Sequence, residues 1–122
     1  MATTAQIRQH FLKLGMPVSE VNQIIRDPIL MGQTRNFISQ WGLGSVRADP
    51  EYSGIFFKSE LVNNKENRSI VFGTADKRYL TASDWAHEIG HGLSKTMSKL
   101  DLDIDGNRNT TANEYARRFV YE

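Results

Sequence analysis

The chain has 122 residues, of which 39% are hydrophobic and 24% charged, and a formal net charge of +1. This length suits one domain, and the balanced charge gives neither the basic surplus of a nucleic-acid binder nor the acidic surplus of a disordered chain. The chain contains no cysteine, which excludes disulfides and thiolate zinc sites, so any metal ion must be held by histidines and carboxylates.

Residues 1–8 contain no apolar run of signal-peptide length, and no stretch of the sequence is long and apolar enough to span a bilayer. We therefore expect no membrane partner and, by default, a cytoplasmic location. Export by a secretion system that needs no signal peptide is the alternative. The oligomeric state is not predicted by any feature of the sequence.

Residues 1–44 are predicted to be helical. The capping residues indicate a first helix between Thr3 or Thr4 and Gly15, a second from Pro17 and Ser19 to just before Asp27-Pro28, and a third from about Ile29 to Trp41, ended by Gly42 and Gly44. Their apolar residues recur at helical spacing and are expected to form core: Ile7, Phe11, Leu12, Leu14, Val21, Ile24, Ile25, Leu30, Phe37, Ile38 and Trp41.

Residues 45–50 are predicted to be a polar connection, after which the apolar period changes to that of strands. Residues 54–62 and 68–72 are predicted as two strands joined by a turn at 63–67. Residues 73–76 form a second predicted turn, and residues 77–80 a short third strand that leads to the next helix. The sequence therefore predicts a small antiparallel sheet within residues 52–80.

Residues 86–92 read Ala-His-Glu-Ile-Gly-His-Gly and contain an H-E-x-x-H motif. Thr81 and Asp84, three residues apart, form a pattern typical of the capped start of a helix. On such a helix His87 and His91 lie one turn apart on the same face, with Glu88 beside them. Two imidazoles in this relation can share a zinc ion, and the carboxylate between them can deprotonate a water molecule.

The apolar stripe of this helix indicates how the motif is oriented. At 100° per residue the stripe consists of Trp85, Ala86, Ile89, Leu93, Met97 and Leu100. His87 and His91 fall on the opposite side, so we expect them to face away from the core, toward a cleft or solvent. Gly90 and Gly92 each cost a helix about 1 kcal/mol relative to alanine, which is easier to understand if another group approaches closely there.

A catalytic zinc ion takes three protein ligands and keeps one position for water, so a third ligand is needed. Glu114 is the first candidate, on a last predicted helix that starts at Thr110 or Thr111. A structural role explains the presence of Glu114 equally well. Thr111 and Glu114 make a capping box, and Glu114 and Arg118 make an i, i+4 ion pair. The competing candidates are Asp101, Asp103, Asp105 and His10.

With its two motifs, His-Glu-Ile-Gly-His at residues 87–91 and Asn-Glu-Tyr-Ala-Arg-Arg-Phe at 113–119, the chain resembles the zincin metallopeptidases of the glutamate-ligand branch. It is most similar to the compact ImmA/IrrE-like family, in which a sheet-forming stretch precedes the active helix, and it also resembles the peptidase domains of lethal-factor-type bacterial toxins. The resemblance covers roughly the C-terminal two-thirds, and only H-E-x-x-H is sharply specific. It implies His87 and His91 as zinc ligands, Glu88 as catalytic base and Glu114 as third ligand.

An acidic stretch between the two motifs suggests a second metal. Asp101, Asp103 and Asp105, with Gly106 and Asn109, match the first half of a calcium loop, but the twelfth position, where a bidentate glutamate is expected, is Ala112. The ordinary interpretation is an acidic, solvated turn. A Ca²⁺ ion held by Asp101, Asp103 and Asp105 is the alternative.

The sequence as a whole predicts one α+β, zincin-like domain over residues 1–122, with the metal-site helices in residues 82–122. The predicted function is that of a zinc-dependent endopeptidase with one catalytic Zn²⁺ ion, acting on a protein or peptide substrate. Two alternatives remain: a toxin or effector peptidase that acts in a foreign cell, and a non-catalytic domain in which zinc is structural. The substrate is not predicted.

Overall fold

The structure, a computed structural model, describes residues 2–93, and residues 1 and 94–122 lie outside the described part. The described part contains four α-helices and three strands, which confirms the α+β class: α1 Thr4–Leu14, α2 Val18–Arg26, α3 Pro28–Trp41, β1 Val46–Asp49, β2 Ser53–Val62, β3 Lys65–Thr74 and α4 Ala82–Gly92. Over residues 2–93, no helix has the length and apolar character that crossing a membrane requires.

The three N-terminal helices lie close to their predicted bounds, and side chains cap the first and the third at their starts. The Thr3 side chain accepts a hydrogen bond from the Gln6 amide at the start of α1, and Gly15 ends the helix in the left-handed conformation at φ 105°. Asp27 caps α3 in the same way, with Pro28 in the first turn. Four residues of the predicted core are only half-buried and pack against its edge: Leu12, Leu14, Ile25 and Trp41.

Strands β2 and β3 form the predicted antiparallel hairpin, but it is longer than expected. Its ladder runs from Ser53 opposite Thr74 to Val62 opposite Lys65. The turn therefore has two residues, Asn63 and Asn64, instead of the five predicted. Both have positive φ, 53° and 65°, as two-residue hairpin turns of the favoured twist require, and asparagine tolerates this conformation better than most residues.

Residues 46–49 form a strand, so the prediction of a polar connection at 45–50 is wrong. Strand β1 pairs in parallel with β3, with Val46 opposite Ile70, and the strand order is β1-β3-β2. The sheet is therefore mixed and runs from 46 to 74, whereas an antiparallel sheet within 52–80 was predicted. The physical reason for β1 is the fully buried side chain of Val46, which belongs to the core.

Residues 77–79 form a 3₁₀ turn and not the predicted third strand. Asp76 explains the difference, because its carboxylate accepts a hydrogen bond from the Arg78 amide and so closes the turn locally. The Arg78 guanidinium also donates to this carboxylate, which lowers the pKa of Asp76 below its ordinary value. Leu80, directly after the turn, is fully buried.

Trp85 lies at the centre of the core and joins α4 to the other layers. Its ring makes edge contacts with Phe11 of α1 and Phe72 of β3, at centroid distances of 4.7 and 5.9 Å. The indole nitrogen donates a 2.8 Å hydrogen bond to the Thr34 hydroxyl of α3, and that hydroxyl donates to the Leu30 carbonyl. Every polar atom of this buried pair is thus bonded, and the position of α4 is specified by three elements.

Candidate metal centre

Helix α4 is capped at its start by groups from two parts of the chain. The Thr81 hydroxyl accepts a hydrogen bond from the Asp84 amide, as predicted. The Glu20 carboxylate of α2, 62 residues earlier in the chain, accepts a second bond of 2.9 Å from the Ala82 amide. A carboxylate at this end is favoured by the helix dipole and bonds an amide that has no partner within the helix. The contribution of Glu20 was not foreseen, since nothing local connects the two segments.

The structure brings His87, Glu88 and His91 together on α4. Each offers one ligand atom, and these atoms all lie within 4.8 Å of one another. The two imidazole rings are 5.0 Å apart between centroids and inclined at 79°, and His87 Nε2 is 4.0 Å from Glu88 Oε1. Among the residues that the structure describes, this is the one group of three or more such side chains close enough to hold a metal ion.

The predicted exposure of the histidine pair is wrong for His91. Its residue is only 6% exposed, and its ring lies 6.0 Å from that of Phe57 on β2. The side chains of His87 and Glu88 are more open, at 21% and 13%. The apolar stripe of α4 packs against the helices and β3, and the histidine side of the helix packs against β2. His87 and Glu88 therefore form the solvent-facing part of the group, and His91 its buried part.

The side chains present are chemically suited to zinc. Imidazole nitrogen is one of the preferred zinc ligands, and bonds of about 2.0–2.1 Å place two nitrogens on one tetrahedral ion roughly 3.4 Å apart. The ligand atoms of the group lie within 4.8 Å of one another, and a bound ion would draw the two nitrogens to this shorter separation. His87 and His91 would hold the ion from one side, with Glu88 next to it.

Gly92, the last residue of α4, is explained by packing against a core side chain. A Cβ atom placed there would lie 2.8 Å from Phe37 Cε2 and 2.9 Å from Phe37 Cδ2. Phe37 is fully buried in α3 and cannot move aside freely. The expectation that something approaches the glycines of the motif closely is therefore confirmed at Gly92, and the approaching group is a phenylalanine ring.

We expect Gly92→Ala to lower the free energy of unfolding by about 1–3 kcal/mol, because overpacking against Phe37 outweighs the gain in helix propensity. Gly32→Ala is the matched control, since Gly32 lies in α3 and its added methyl group meets no atom within 4 Å. That control should raise the free energy of unfolding by roughly 0.4–1 kcal/mol. Urea denaturation of both variants measures the difference, and equal effects would contradict the packing role of Gly92.

The end of α4 is bonded to the sheet by Arg68, which the sequence analysis missed. Arg68 is 4% exposed, and its Nη1 donates a 3.0 Å hydrogen bond to the Gly92 carbonyl. A signal was available in the alternation of β3, because Arg68 shares the inward parity of Ile70 and Phe72. An arginine on the core face of a strand needs buried hydrogen-bond partners, so this alternation predicts that Arg68 bonds a neighbouring element.

The remaining predicted site residues are not part of this group. His10 donates from Nε2 to the Val46 carbonyl at 2.6 Å and does not belong to the group of possible ligands in residues 2–93. Glu114, the first candidate for the third zinc ligand, lies outside the described residues. The same is true of Asp101, Asp103 and Asp105, so both the third ligand and the calcium loop stay predictions.

Comparisons of the chain with protein families, with curated proteins and with solved structures found no match. What the site does is therefore inferred from its own residues.

Proposed function

We propose that this protein is a zinc-dependent endopeptidase that hydrolyses peptide bonds of a protein substrate. The observation that carries the proposal is the grouping of two imidazoles and one carboxylate on a single helix, with ligand atoms within 4.8 Å of one another. A zinc ion held by His87 and His91 would supply a Lewis acid that polarises a carbonyl oxygen and acidifies a water molecule at its open position.

The position of Glu88 supports the proposed role of general base. Its side chain is 13% exposed, so it is largely removed from bulk water and still accessible from the solvent side of α4. In the proposed reaction the carboxylate accepts a proton from the attacking water and then delivers it to the nitrogen of the leaving amine. His87, beside it at 4.0 Å, would hold the ion at the same edge of the group.

The third ligand and the zincin-like fold belong to the same proposal. Glu114 is proposed as the third ligand because the resemblance of residues 113–119 to the glutamate-ligand zincins assigns it that role. The order of elements supports the fold, since a small sheet precedes the H-E-x-x-H helix along the chain. A ligand from a later segment would complete three protein ligands and leave one position open.

The metal dependence of the wild-type protein tests this proposal. Purified protein is expected to contain one zinc ion per chain by elemental analysis and to cleave members of a proteome-derived peptide library, read by mass spectrometry. Removal of the metal with a chelator should abolish cleavage, and added Zn²⁺, but not Mg²⁺ or Ca²⁺, should restore it. Failure to bind zinc at micromolar concentration would contradict the metal site itself.

The burial of His91 favours one second candidate, a domain in which zinc is structural and not catalytic. A closed coordination shell has no position for water, and a buried ligand is typical of such sites. In that case zinc binds stoichiometrically and raises the unfolding temperature, but no peptide of the library is cleaved. A structure of the zinc-loaded protein separates the two by the presence or absence of an exchangeable water on the ion.

A further inference from the structure

Arg68 joins three elements at the point where α4 ends. From β3 its guanidinium donates to the Gly92 carbonyl at 3.0 Å, and its carbon Cζ lies 5.8 Å from the ring centroid of Trp41, the last residue of α3. Its Nη2 also pairs with Glu66 Oε1 at 3.0 Å, and the other carboxylate oxygen of Glu66 accepts a bond from the Ser59 hydroxyl of β2. The guanidinium is thus held on the sheet and directed at the helix.

Burying an arginine side chain costs free energy unless its charge is well paired. Its position on the core face therefore requires a specific compensating contact. The contact with Gly92 provides one. The last carbonyls of a helix have no hydrogen-bond donor within it, and the residue that follows α4, Leu93, is not a left-handed glycine cap. A cation at this end also interacts favourably with the negative end of the helix dipole.

The residue directly before Gly92 is His91, the buried member of the candidate metal group. Its ring is confined between α4 and Phe57 of β2. A displacement of the last turn of α4 away from the sheet would therefore move this imidazole relative to His87, which lies one turn earlier. The bond from Arg68 is a polar contact that opposes such a displacement at the end of the helix.

We propose that Arg68 is a positioning residue of the metal site, which holds the Gly92 carbonyl on the sheet and thereby fixes the imidazole of His91 relative to His87. The effect on metal binding rests on the proposed zinc site, whereas the effect on His91 exists in the metal-free protein. Arg68 touches neither metal nor substrate in this role. Its influence passes through the backbone of the last turn of α4.

Two substitutions test the role. Arg68→Met removes the charge and the donors but keeps a long apolar side chain, and Arg68→Lys keeps the charge with a single donor group. The matched control is Arg78→Met, which removes another arginine–carboxylate pair, at an exposed position in the 3₁₀ turn.

The first readout is the zinc affinity of the folded full-length protein, measured by competition with a chromophoric chelator. Groups that orient metal ligands typically change metal affinity 10- to 100-fold when they are removed. We expect about a 10-fold loss for Arg68→Met, partial recovery in Arg68→Lys, and less than about a 2-fold change in Arg78→Met. An unchanged affinity in Arg68→Met would overturn the proposal.

The second readout is independent of metal. In the zinc-free protein, Arg68→Met should shift the ring resonances of His91 in NMR spectra and speed exchange of the amides of residues 89–92, while the ring of His10 stays unchanged. If wild-type protein binds no zinc, the proposed function is wrong, and these resonances alone decide the positioning role. If Arg68→Met does not fold, Arg68→Lys provides the same two measurements, and wild-type values for it in both would overturn the proposal.

Discussion

Glu88→Gln is expected to lower kcat/KM for peptide hydrolysis by roughly two to four orders of magnitude while zinc content stays at one per chain. Glutamine has the same size and can still form hydrogen bonds, but it cannot accept the proton of the attacking water. The carboxylate it replaces lies in the ligand group beside His87. The measurement pairs elemental analysis with the rate of cleavage of the best peptide from the wild-type library screen.

Asp84→Asn is the matched control for this substitution. It removes a carboxylate from the same helix, one turn before Glu88, at an exposed position in the first turn. Its effect on the rate should be within about 2-fold, since surface changes of this kind alter stability by only about 0.5 kcal/mol. Wild-type cleavage by Glu88→Gln would refute the role as base, and loss of zinc from that variant would make Glu88 a ligand instead.

His91→Ala is expected to weaken zinc binding by on the order of 100-fold or more, because four ligands share roughly 10–16 kcal/mol in structural zinc sites. Its activity should fall with its metal content. The truncation also leaves a space beside Phe57, since His91 is only 6% exposed. His91→Gln, which fills more of that space, therefore separates lost ligation from lost packing.

The third histidine of the chain supplies the control for the loss of zinc. His10→Gln keeps a donor for the Val46 carbonyl and changes a residue outside the ligand group. It should bind zinc as the wild type does. Chelator competition measures all three histidine variants, and full zinc occupancy in His91→Gln at wild-type affinity would exclude His91 as a ligand.

The elements that the sequence predicted well are those specified by neighbouring residues. Thr3 and Gly15 bound α1, and α3 begins at Pro28, one residue before the predicted start near Ile29, because caps act within a few residues of the helix end. The H-E-x-x-H group follows the same logic, since helical spacing alone brings His87 and His91 together. These features could be predicted without knowledge of the rest of the fold.

The features that were missed depend on distant parts of the chain. Strand β1 has four residues and pairs with β3, so its hydrogen bonds carry no local signal. The burial of His91 depends on Phe57 and β2, which a helical wheel of α4 cannot reveal. At residues 77–79 a local signal did exist, because the carboxylate of Asp76 favours a turn over a strand.

The long-range hydrogen bonds that hold α4 also bear on the order in which the parts of the site form during folding. The helix is held by Glu20, Thr34 and Arg68, which lie 62, 51 and 24 residues away from their bonding partners along the chain. Contacts between such distant positions carry a large loop-closure entropy and generally form late, whereas helices and hairpins form within microseconds. We therefore expect the helical spacing of the two imidazoles to form before His91 becomes enclosed against β2. Its ring is accordingly a natural reporter of the final stage of folding.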